Sequence, residues 1–428
     1  MVLPGCAAMS EAAIGDPRRF LRDLFDVAVA AAHPGRAVAA NLPQPPRGRT
    51  LVIAVGKAAL PTAEAVEENW PADFLGLAIV PHGYAISLRH FEVRHASHPV
   101  PDETSREAAL RALQLASELG PNDMLLALIS GGGSSLMSAP APGIEAADKI
   151  ALLRSLLKSG AGIAELNCVR KRISAVKGGR LAAAANGAKI CTLIISDVPG
   201  DDPAVVASGP TVADATRNAD ALEVLRRYGL AMPATIAGIL SRPDDPLPPL
   251  RPDNETRVIA SPHQSFLAVL AKARETGIAA LFLGDRIEGE ARDVAKVHAA
   301  IAQEIVTYDA PARKPCLLLS GGETGVTVRG GGRGGRNVEF SLALAIALAG
   351  APGVYALAAD TDGIDGMEPI AGAIVAPDTL QRAHAIGLDA RAMLEDNDAH
   401  RFFEALGDQV ITGPTNTNVN DFRAILIR

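Results

Sequence analysis

Three short runs, Thr50–Val55, Met124–Ile129 and Lys189–Ile195, constrain this chain more than any other feature. Each is nearly free of charge and rich in branched aliphatic side chains, as a strand buried on both faces must be. Each also gives way to Gly, Ser or Asp: Gly56-Lys57 after the first, Ser130-Gly-Gly-Gly-Ser-Ser135 after the second, Ser196-Asp197 after the third. Helical patterns over Ala58–Glu68, Glu103–Glu118, Ala146–Lys158 and from Ile163 alternate with these runs and with a strand near Leu77–Val80. Alternation of this kind predicts a largely parallel sheet with helices on both faces. Ligands of such sheets sit beyond the carboxyl ends of the strands, where Lys57, the Ser130–Ser135 turn and Asp197 all fall.

An opening helix is predicted over Asp16–Ala32, with Phe20, Leu21, Leu24 and Phe25 on its apolar face. Ser241–Asp253 carries five prolines in thirteen residues, a composition that resists both helix and central strand. The expected organisation is an N-terminal domain over 16–240, a linker over 241–256 and a C-terminal domain over 257–428. Beyond the linker, strands are predicted at Arg257–Ala260, Ala279–Leu283, Pro315–Leu319, Val354–Ala359 and Gln409–Ile411. Helices near Gln264–Glu275, Gly289–Thr307, Asn337–Ala349 and Ala399–Leu406 alternate with them, so the second half reads as another α/β domain.

Composition narrows the function. The 428 residues carry 41 Lys and Arg against 48 Asp and Glu, a net charge of −7, with 4% aromatics and no basic run. That balance argues against a nucleic-acid binder. No stretch has the length and apolarity of a membrane span, and the first ten residues lack the basic start of a signal peptide. Cys6, Cys168, Cys191 and Cys316 are scattered without a C-x-x-C pair, which suggests free thiols, a reducing compartment and a cytoplasmic location.

The densest chemical signal lies between Ser320 and Val338, where eight glycines and three arginines share nineteen residues. Glycine permits close backbone approach and positive φ, and arginine offers a planar donor fork, so this segment reads as an anion site. Gly330–Gly335 formally matches G-x-G-x-x-G with Asp360 twenty-five residues beyond, but Arg333 and Arg336 would crowd a dinucleotide turn. Lys57 follows a strand and opens a helix, although Leu51 and Ala58 break the phosphate-loop pattern G-x-x-x-x-G-K-[ST]. In the Ser130–Ser135 turn, Ser134 and Ser135 can bond a phosphate oxygen or simply cap the turn, and Leu136 excludes a nucleophile elbow. Asp197 and the Asp360-Thr-Asp-Gly-Ile-Asp-Gly group place hard carboxylates after strands, suited to Mg²⁺ or to a hydroxyl proton. Ala371 stands where a calcium loop needs Glu. His95 and His98 have helical metal spacing but sit in a proline-containing segment. Gly413–Asp421 is polar enough to contact a polyhydroxy acid or to satisfy its own turns.

Taken together, Ala54-Val-Gly-Lys-Ala-Ala, Ser97-His-Pro-Val-Pro-Asp, Ser130-Gly-Gly-Gly-Ser-Ser-Leu, Asn167-Cys-Val-Arg-Lys-Arg-Ile-Ser-Ala-Val-Lys-Gly-Gly-Arg-Leu, Ser196-Asp-Val-Pro-Gly-Asp, Ser320-Gly-Gly-Glu-Thr, Gly334-Gly-Arg-Asn and Thr361-Asp-Gly-Ile-Asp-Gly resemble the bacterial-type glycerate 2-kinase family. Its members are sometimes labelled hydroxypyruvate reductases, and their C-terminal half is known as the MOFRL domain, here about residues 315–425. The resemblance implies a Rossmann-like doubly wound parallel sheet followed by an α/β MOFRL-type domain, with the active-site cleft between them. It implies ATP-dependent phosphorylation of the C2 hydroxyl of D-glycerate, with ATP and Mg²⁺ as cofactors and Lys57 and Arg336 as central catalytic residues. Asp197 is the candidate base or Mg²⁺ ligand, with Asp362 second. Ser130, Gly131, Gly132, Gly133, Ser134 and Ser135 are expected to bind substrate or nucleotide. Gly321, Gly322, Glu323 and Thr324 are expected to do the same, with Arg333, Asn337 and Asn416. No nucleic-acid or membrane partner is expected, and a homodimer is carried as an expectation. Two rival readings stand beside the kinase: an NAD(P)H-dependent hydroxypyruvate reductase using Gly330–Gly335, and a non-catalytic sugar-acid binding protein.

Overall fold

The computed structural model describes residues 15–84, 88–198, 200–244 and 247–428. They form two compact units. One is Pro34–Ile259; the other joins Ala260–Arg428 to the segment ending at His33.

The first unit is built on β1 (Thr50–Val55), β2 (Leu75–Pro81), β3 (Phe91–Ala96), β4 (Met124–Ser130), β5 (Lys189–Ile195) and β6 (Glu255–Ala260), in the order β3-β2-β1-β4-β5-β6. The β1–β2, β1–β4, β2–β3 and β4–β5 pairs are all parallel. Every residue of β1 and β4 is buried, as their uncharged sequences require. Alternate β1 side chains serve opposite layers. Leu51, Ile53 and Val55 meet the helix Glu103–Ser117 through Ala108 and Ala112. Val52 and Ala54 meet the helix Ala59–Asn69 through Ala63 and Val66. This is the doubly wound architecture expected, with the strand order reversing between β1 and β4.

Two expectations for this unit need correction. The sequence reading assigns no strand to Phe91–Ala96, because Glu92, Arg94 and His95 interrupt it; those charges suit its place at the sheet edge, paired only to β2. The proline-rich segment is not a bridge between domains. Arg251 donates to the carbonyls of Pro121 (2.8 Å) and Gly187 (3.1 Å), and Asn254 accepts from Ile190 N–H at 2.8 Å. The segment therefore lies against the first unit, and the strand assigned to the second domain becomes β6 of the first sheet.

The second unit adds β7 (Ala279–Phe282), β8 (Gly289–Glu290), β9 (Cys316–Gly322), β10 (Thr324–Gly325), β11 (Val354–Asp360), β12 (Gly372–Val375), β13 (Gln409–Val410) and β14 (Asp421–Ile427). Its sheet runs β13-β12-β11-β14-β9-β7, while β8 and β10 form a separate two-stranded ladder. Only β7 and β9 pair in parallel within the larger sheet; its other pairs are antiparallel. The sequence reading missed β14, which inserts between β9 and β11 with all seven residues buried. Asp421 and Arg423 had disguised it as a polar tail.

The opening helix also belongs here rather than to the first unit. Asp16 caps it by accepting from Arg18 N–H, and Pro17 occupies the first turn, where its missing donor costs nothing. Phe20, Leu21, Leu24, Phe25 and Ala28 form a stripe that packs on Phe266, Val269 and Phe422. Arg18 pairs with Asp408 at 2.6 Å, and Thr417 donates to Ala32 C=O at 2.8 Å. Phe25 is fully buried and lies edge-on to Phe422, with ring centroids 5.7 Å apart. Phe25→Ala should therefore destabilise this unit by about 3–5 kcal/mol. Hydrogen exchange should quicken in β14 and β11 and leave β1 and β4 protected; the reverse pattern would return the helix to the first unit.

Candidate active site

In the first unit, the reversal of strand order brings together the turns after β1 and β4, the position where sheets of this kind leave a crevice. The turns touch through glycine. Gly56 has φ +125°, and a Cβ there would lie 2.1 Å from Ser130 Oγ. Ser130 Oγ in turn accepts from Ala58 N–H at 3.1 Å and donates to Val55 C=O at 3.3 Å. Lys57 N–H donates to Gly131 C=O at 2.8 Å. Ser130 thus buttresses the turn that presents Lys57; its buried hydroxyl is already engaged. Gly131 is glycine because the Asp197 carboxylate occupies the place of its side chain, with Oδ2 1.8 Å from an ideal Cβ. Over Gly132 (φ +82°) lie Lys57 and His98, with Lys57 Cγ 3.4 Å and His98 Cδ2 3.1 Å from an ideal Cβ. The structure therefore gathers Lys57, Gly131, Gly132 and Asp197 at one place, as the sequence predicted.

A cavity of about 360 Å³ opens beside this turn, lined in part by Gly131, Ser134, Ser135 and Asp197. Ser134 Oγ shares a hydrogen bond with Ser208 Oγ (3.0 Å), which donates to Asn167 Oδ1 at 2.9 Å, while Ser135 Oγ bonds Gly132 C=O at 3.1 Å. A Cβ on Gly133 would lie 3.0 Å from Ala207 Cβ, so this glycine admits the turn carrying Ala207 and Ser208. Both of those residues hold left-handed backbone, φ 49° and 61°, a strain concentrated where the cavity is shaped.

The second unit holds a separate constellation around the start of the helix Arg336–Leu348. Arg336 Nε meets Asp421 at 2.6 Å, Nη2 meets Asp360 at 2.6 Å, and Nη1 lies 3.3 Å from the exposed Glu323. Burial opposes its charge, but Asp421 and Asp360 outweigh burial and raise its pKa. Burial and the neighbouring Asp362 push Asp360 well above the carboxylate range, against the pull of Arg336. Asp365 reaches across to accept from the N–H groups of Asn337 (3.0 Å) and Val338 (2.8 Å), capping the helix from another segment. Asn337 also donates to Asp421 at 2.9 Å. Thr324 N–H donates to Asp421 at 3.1 Å, and Asp362 accepts from Ile364 N–H at 2.8 Å. Arg336, Glu323, Thr324, Asn337 and Asp362 are thus near one another, as their motifs suggested. Asn416 is exposed in left-handed conformation (φ 59°).

The glycine loop has a different physical cause from the one its sequence suggested. Its donors point inward, to Asp396-Asn397-Asp398. Asn397 Oδ1 accepts from Arg329 and Gly330 N–H, the Asp396 carboxylate from Gly331, Asp396 C=O from Gly332, and the Asp398 carboxylate from Arg333. Side chains on Gly330, Gly332 and Gly335 would collide at 2.3–2.5 Å with Asp396, Asp398 and Asp365. The Arg333 side chain pairs with Glu368 at 3.0 Å. A dinucleotide turn needs that backbone open to a pyrophosphate, and here it is occupied. Gly321 and Gly322 are likewise explained by packing: a Cβ would meet Phe266 at 2.5 Å or Ile287 C=O at 2.2 Å.

Residues 20–241 match the domain of unknown function DUF4147, and residues 316–421 match the MOFRL family. A protein of Agrobacterium vitis named "Putative hydroxypyruvate reductase" is 49% identical over 96% of this chain and 94% of its own length. The "D-glycerate 2-kinase" of Thermotoga maritima is 39% identical over 93% of this chain and 95% of its own. A crystal structure of glycerate kinase from Thermotoga maritima aligns with a TM-score of 0.88 at 37% identity, covering 96% of this chain and 99% of that one. The chain belongs to the glycerate kinase family.

In this glycerate kinase relative, sequence reasoning missed Lys149, Arg170 and Lys177 near the first-unit cavity, and Arg423 beside Asp421. The available signal was charge inside otherwise buried segments, as at Lys171, Lys177 and Arg423. His95 and His98 diverge: His95 stacks on His82 with centroids 6.0 Å apart, and His98 lines the cavity. Among the described residues no three His, Cys, Asp or Glu side chains converge as a metal cage. Cys168, Cys191 and Cys316 are buried free thiols; Cys6 lies outside the described residues. No described helix is long and apolar enough to cross a membrane.

Asp365 supplies a pH test of the helix cap. Burial lifts its pKa from 3.8 to about 6, against the two N–H donors. A carboxyl whose pKa rises on folding favours the folded state most when protonated, so its contribution declines as pH climbs from about 4 through 6. The melting temperature of the wild type minus that of Asp365→Asn should therefore be larger at pH 4.5 than at pH 7. A difference that does not change with pH would mean that Asp365 is ionised throughout.

Proposed function

We propose that this chain is a glycerate 2-kinase, moving the terminal phosphoryl group of ATP to the C2 hydroxyl of D-glycerate. The observation that carries the reading is the meeting of Lys57 and Asp197 at the Gly131–Gly132 turn, an ammonium and a carboxylate at the strand-order reversal. Phosphoryl transfer asks for positioning and charge dispersal more than for covalent chemistry. In the proposed step Asp197 accepts the C2 hydroxyl proton and the freed oxygen forms a bond to the γ-phosphorus. The bond from that phosphorus to the β,γ-bridging oxygen breaks, and ADP leaves. Lys57 neutralises the transferring oxygens, and Arg336 is proposed to contribute to the same reaction. Ser134 and Ser135 offer hydroxyls to the substrates, whereas Ser130 acts through the turn it braces.

The donor set fits a magnesium ion that arrives with the nucleotide, not a resident one. Such an ion keeps most of its ligands from phosphate and water and needs one or two protein carboxylates, which Asp197 or Asp362 would supply. Bound there, it would disperse phosphate charge.

The reductase reading loses its main support with the glycine loop, since Gly330–Arg333 donate their N–H groups to Asp396–Asp398. A sugar-acid binding protein would need no base beside Lys57.

Coupling the product through enolase, which accepts 2-phosphoglycerate but not the 3-isomer, tests the reaction and its regiochemistry together. Lys57→Ala should lower kcat by roughly 10²–10³-fold, the scale of removing a positioned electrostatic donor. Arg336→Lys should lower it comparably, because an ammonium cannot hold Asp421 and Asp360 with one planar fork. ADP release without enolase signal would overturn the regiochemistry. NADH consumption on hydroxypyruvate without ADP would overturn the kinase.

A further inference from the structure

The wall of the first-unit cavity contains cations that the phosphoryl-transfer reading does not use. Arg154, Arg170 and Lys177 line it, Arg154 at its exposed side, and among the described lining residues Asp197 is the one carboxylate. Lys177 is buried, with Nζ donating to the carbonyls of Ser134 (2.5 Å) and Met137 (3.3 Å). Lys149, also buried, donates to Ser138 Oγ (3.2 Å) and Ala139 C=O (2.9 Å). Arg170 is half-buried, and among the described residues its guanidinium makes no hydrogen bond and no ion pair. The neighbouring Lys171 and Arg172 reach Asp214 at 3.5 and 4.0 Å, whereas among the described residues none of these three side chains is ion-paired.

This is the wrong arrangement for stability alone. A buried cation is tolerated when an anion or a full set of acceptors meets it, and three close enough to feel one another repel. Elsewhere the fold obeys that rule: buried Arg292 is held by Glu339 at 2.6 Å, and buried Arg423 by Asp421. Around the cavity, burial holds Lys149 down to about 7, with Arg170 adding repulsion. Burial also holds Lys177 well below the usual lysine range, with Lys149 and Arg170 contributing. Ser134, Ser138 and Asn167 share the lining with Ile150 and Leu153.

We propose that Arg170, Lys177 and Lys149 form an oxyanion subsite in this cavity, taking a carboxylate or phosphate group of a substrate, with Arg170 as the residue that touches it. The proposal rests on the kinase reading for the identity of that substrate: D-glycerate presents the carboxylate, the nucleotide the phosphate. It makes Arg170 a specificity determinant, since a cation left unmatched would reject a neutral polyol that lacks the anion. Its planar fork suits either oxyanion bidentately.

The test measures binding by calorimetry for D-glycerate, glycerol, ADP and inorganic phosphate, on the wild type, Arg170→Ala and Arg170→Lys. Arg170 is chosen because Lys177 holds the turn together, so its loss would confuse folding with binding. Wild type should bind at least one oxyanion and not glycerol. Arg170→Ala should weaken that ligand roughly 10–100-fold, the scale of a charge-assisted hydrogen bond, with Arg170→Lys recovering part. Weakening confined to D-glycerate assigns the carboxylate; weakening shared by ADP and phosphate assigns the phosphate. The ligand-free melting temperature of Arg170→Ala should hold or rise, because a cation without a counter-charge has been removed. Unchanged affinities in Arg170→Ala, no oxyanion binding by the wild type, or a lowered ligand-free melting temperature with affinity intact would each overturn the subsite. Because binding is read without turnover, oxyanion binding by an inactive wild type would sink the kinase and keep the subsite.

Discussion

A carboxylate with no access to water must be met by donors or give up its charge, and the second unit is arranged around one that is met. Asp421 is 1% exposed and sits at the start of a strand buried along its whole length. It receives Arg336 Nε, Asn337 Nδ2, Thr324 N–H and Arg423. These donors come from the helix start at Arg336, from β10 and from β14 itself. One side chain therefore sets where the guanidinium of Arg336 stands, and Asp360 fixes its remaining angle. Arg336 keeps only its Glu323 side open, so whatever it does chemically begins from a restrained geometry.

The glycine loop depends on the same logic applied to backbone. Its N–H groups would be costly to leave unpaired beside a helix, and Asp396, Asn397 and Asp398 accept them. Asn397 also donates to Glu339 at 3.0 Å, and Glu339 binds Arg292. A buried polar chain thus runs from the loop to two packed helices, and a network of this kind holds its shape only if every member is satisfied. Glycine is required where Asp396, Asp398 and Asp365 press against the loop. The first unit presents the opposite charge problem. Its glycines let Ser130 and Asp197 close on the turns, while among the described residues Lys149, Arg170 and Lys177, at or near the cavity, have no carboxylate in ion-pair range.

Much of this was legible in the chain. The uncharged runs before Gly56, Gly131 and Asp197 identified three central strands, because a strand buried on both faces cannot hide its composition. The motifs around Lys57, Ser130–Ser135, Asp197 and Arg336 were sufficient for the family resemblance that the comparisons bear out. Composition and local pattern could not decide which of two uses a residue serves. Ser130 and Ser134 look alike in sequence, yet one is enclosed against Ala58 and Val55 and the other faces a cavity. Eight glycines near Arg336 look like an anion cradle until the side chains filling the space are known.

What the sequence determined by itself was periodicity and local chemistry: the parallel sheet of the first unit, the turns at its carboxyl edge, and the candidate Lys57, Asp197 and Arg336. Only tertiary structure decided which unit the opening helix joins, that the proline-rich segment lies on the first sheet, and that β14 enters the middle of the second. It also decided that the loop glycines serve Asp396–Asp398, and that Arg170 and Lys177 line a cavity, with Lys149 near them, with no carboxylate in ion-pair range of any of the three among the described residues. The division has one cause. Burial of a run is written in its own residues, whereas partnership depends on residues tens to hundreds of positions away, and no local pattern records them.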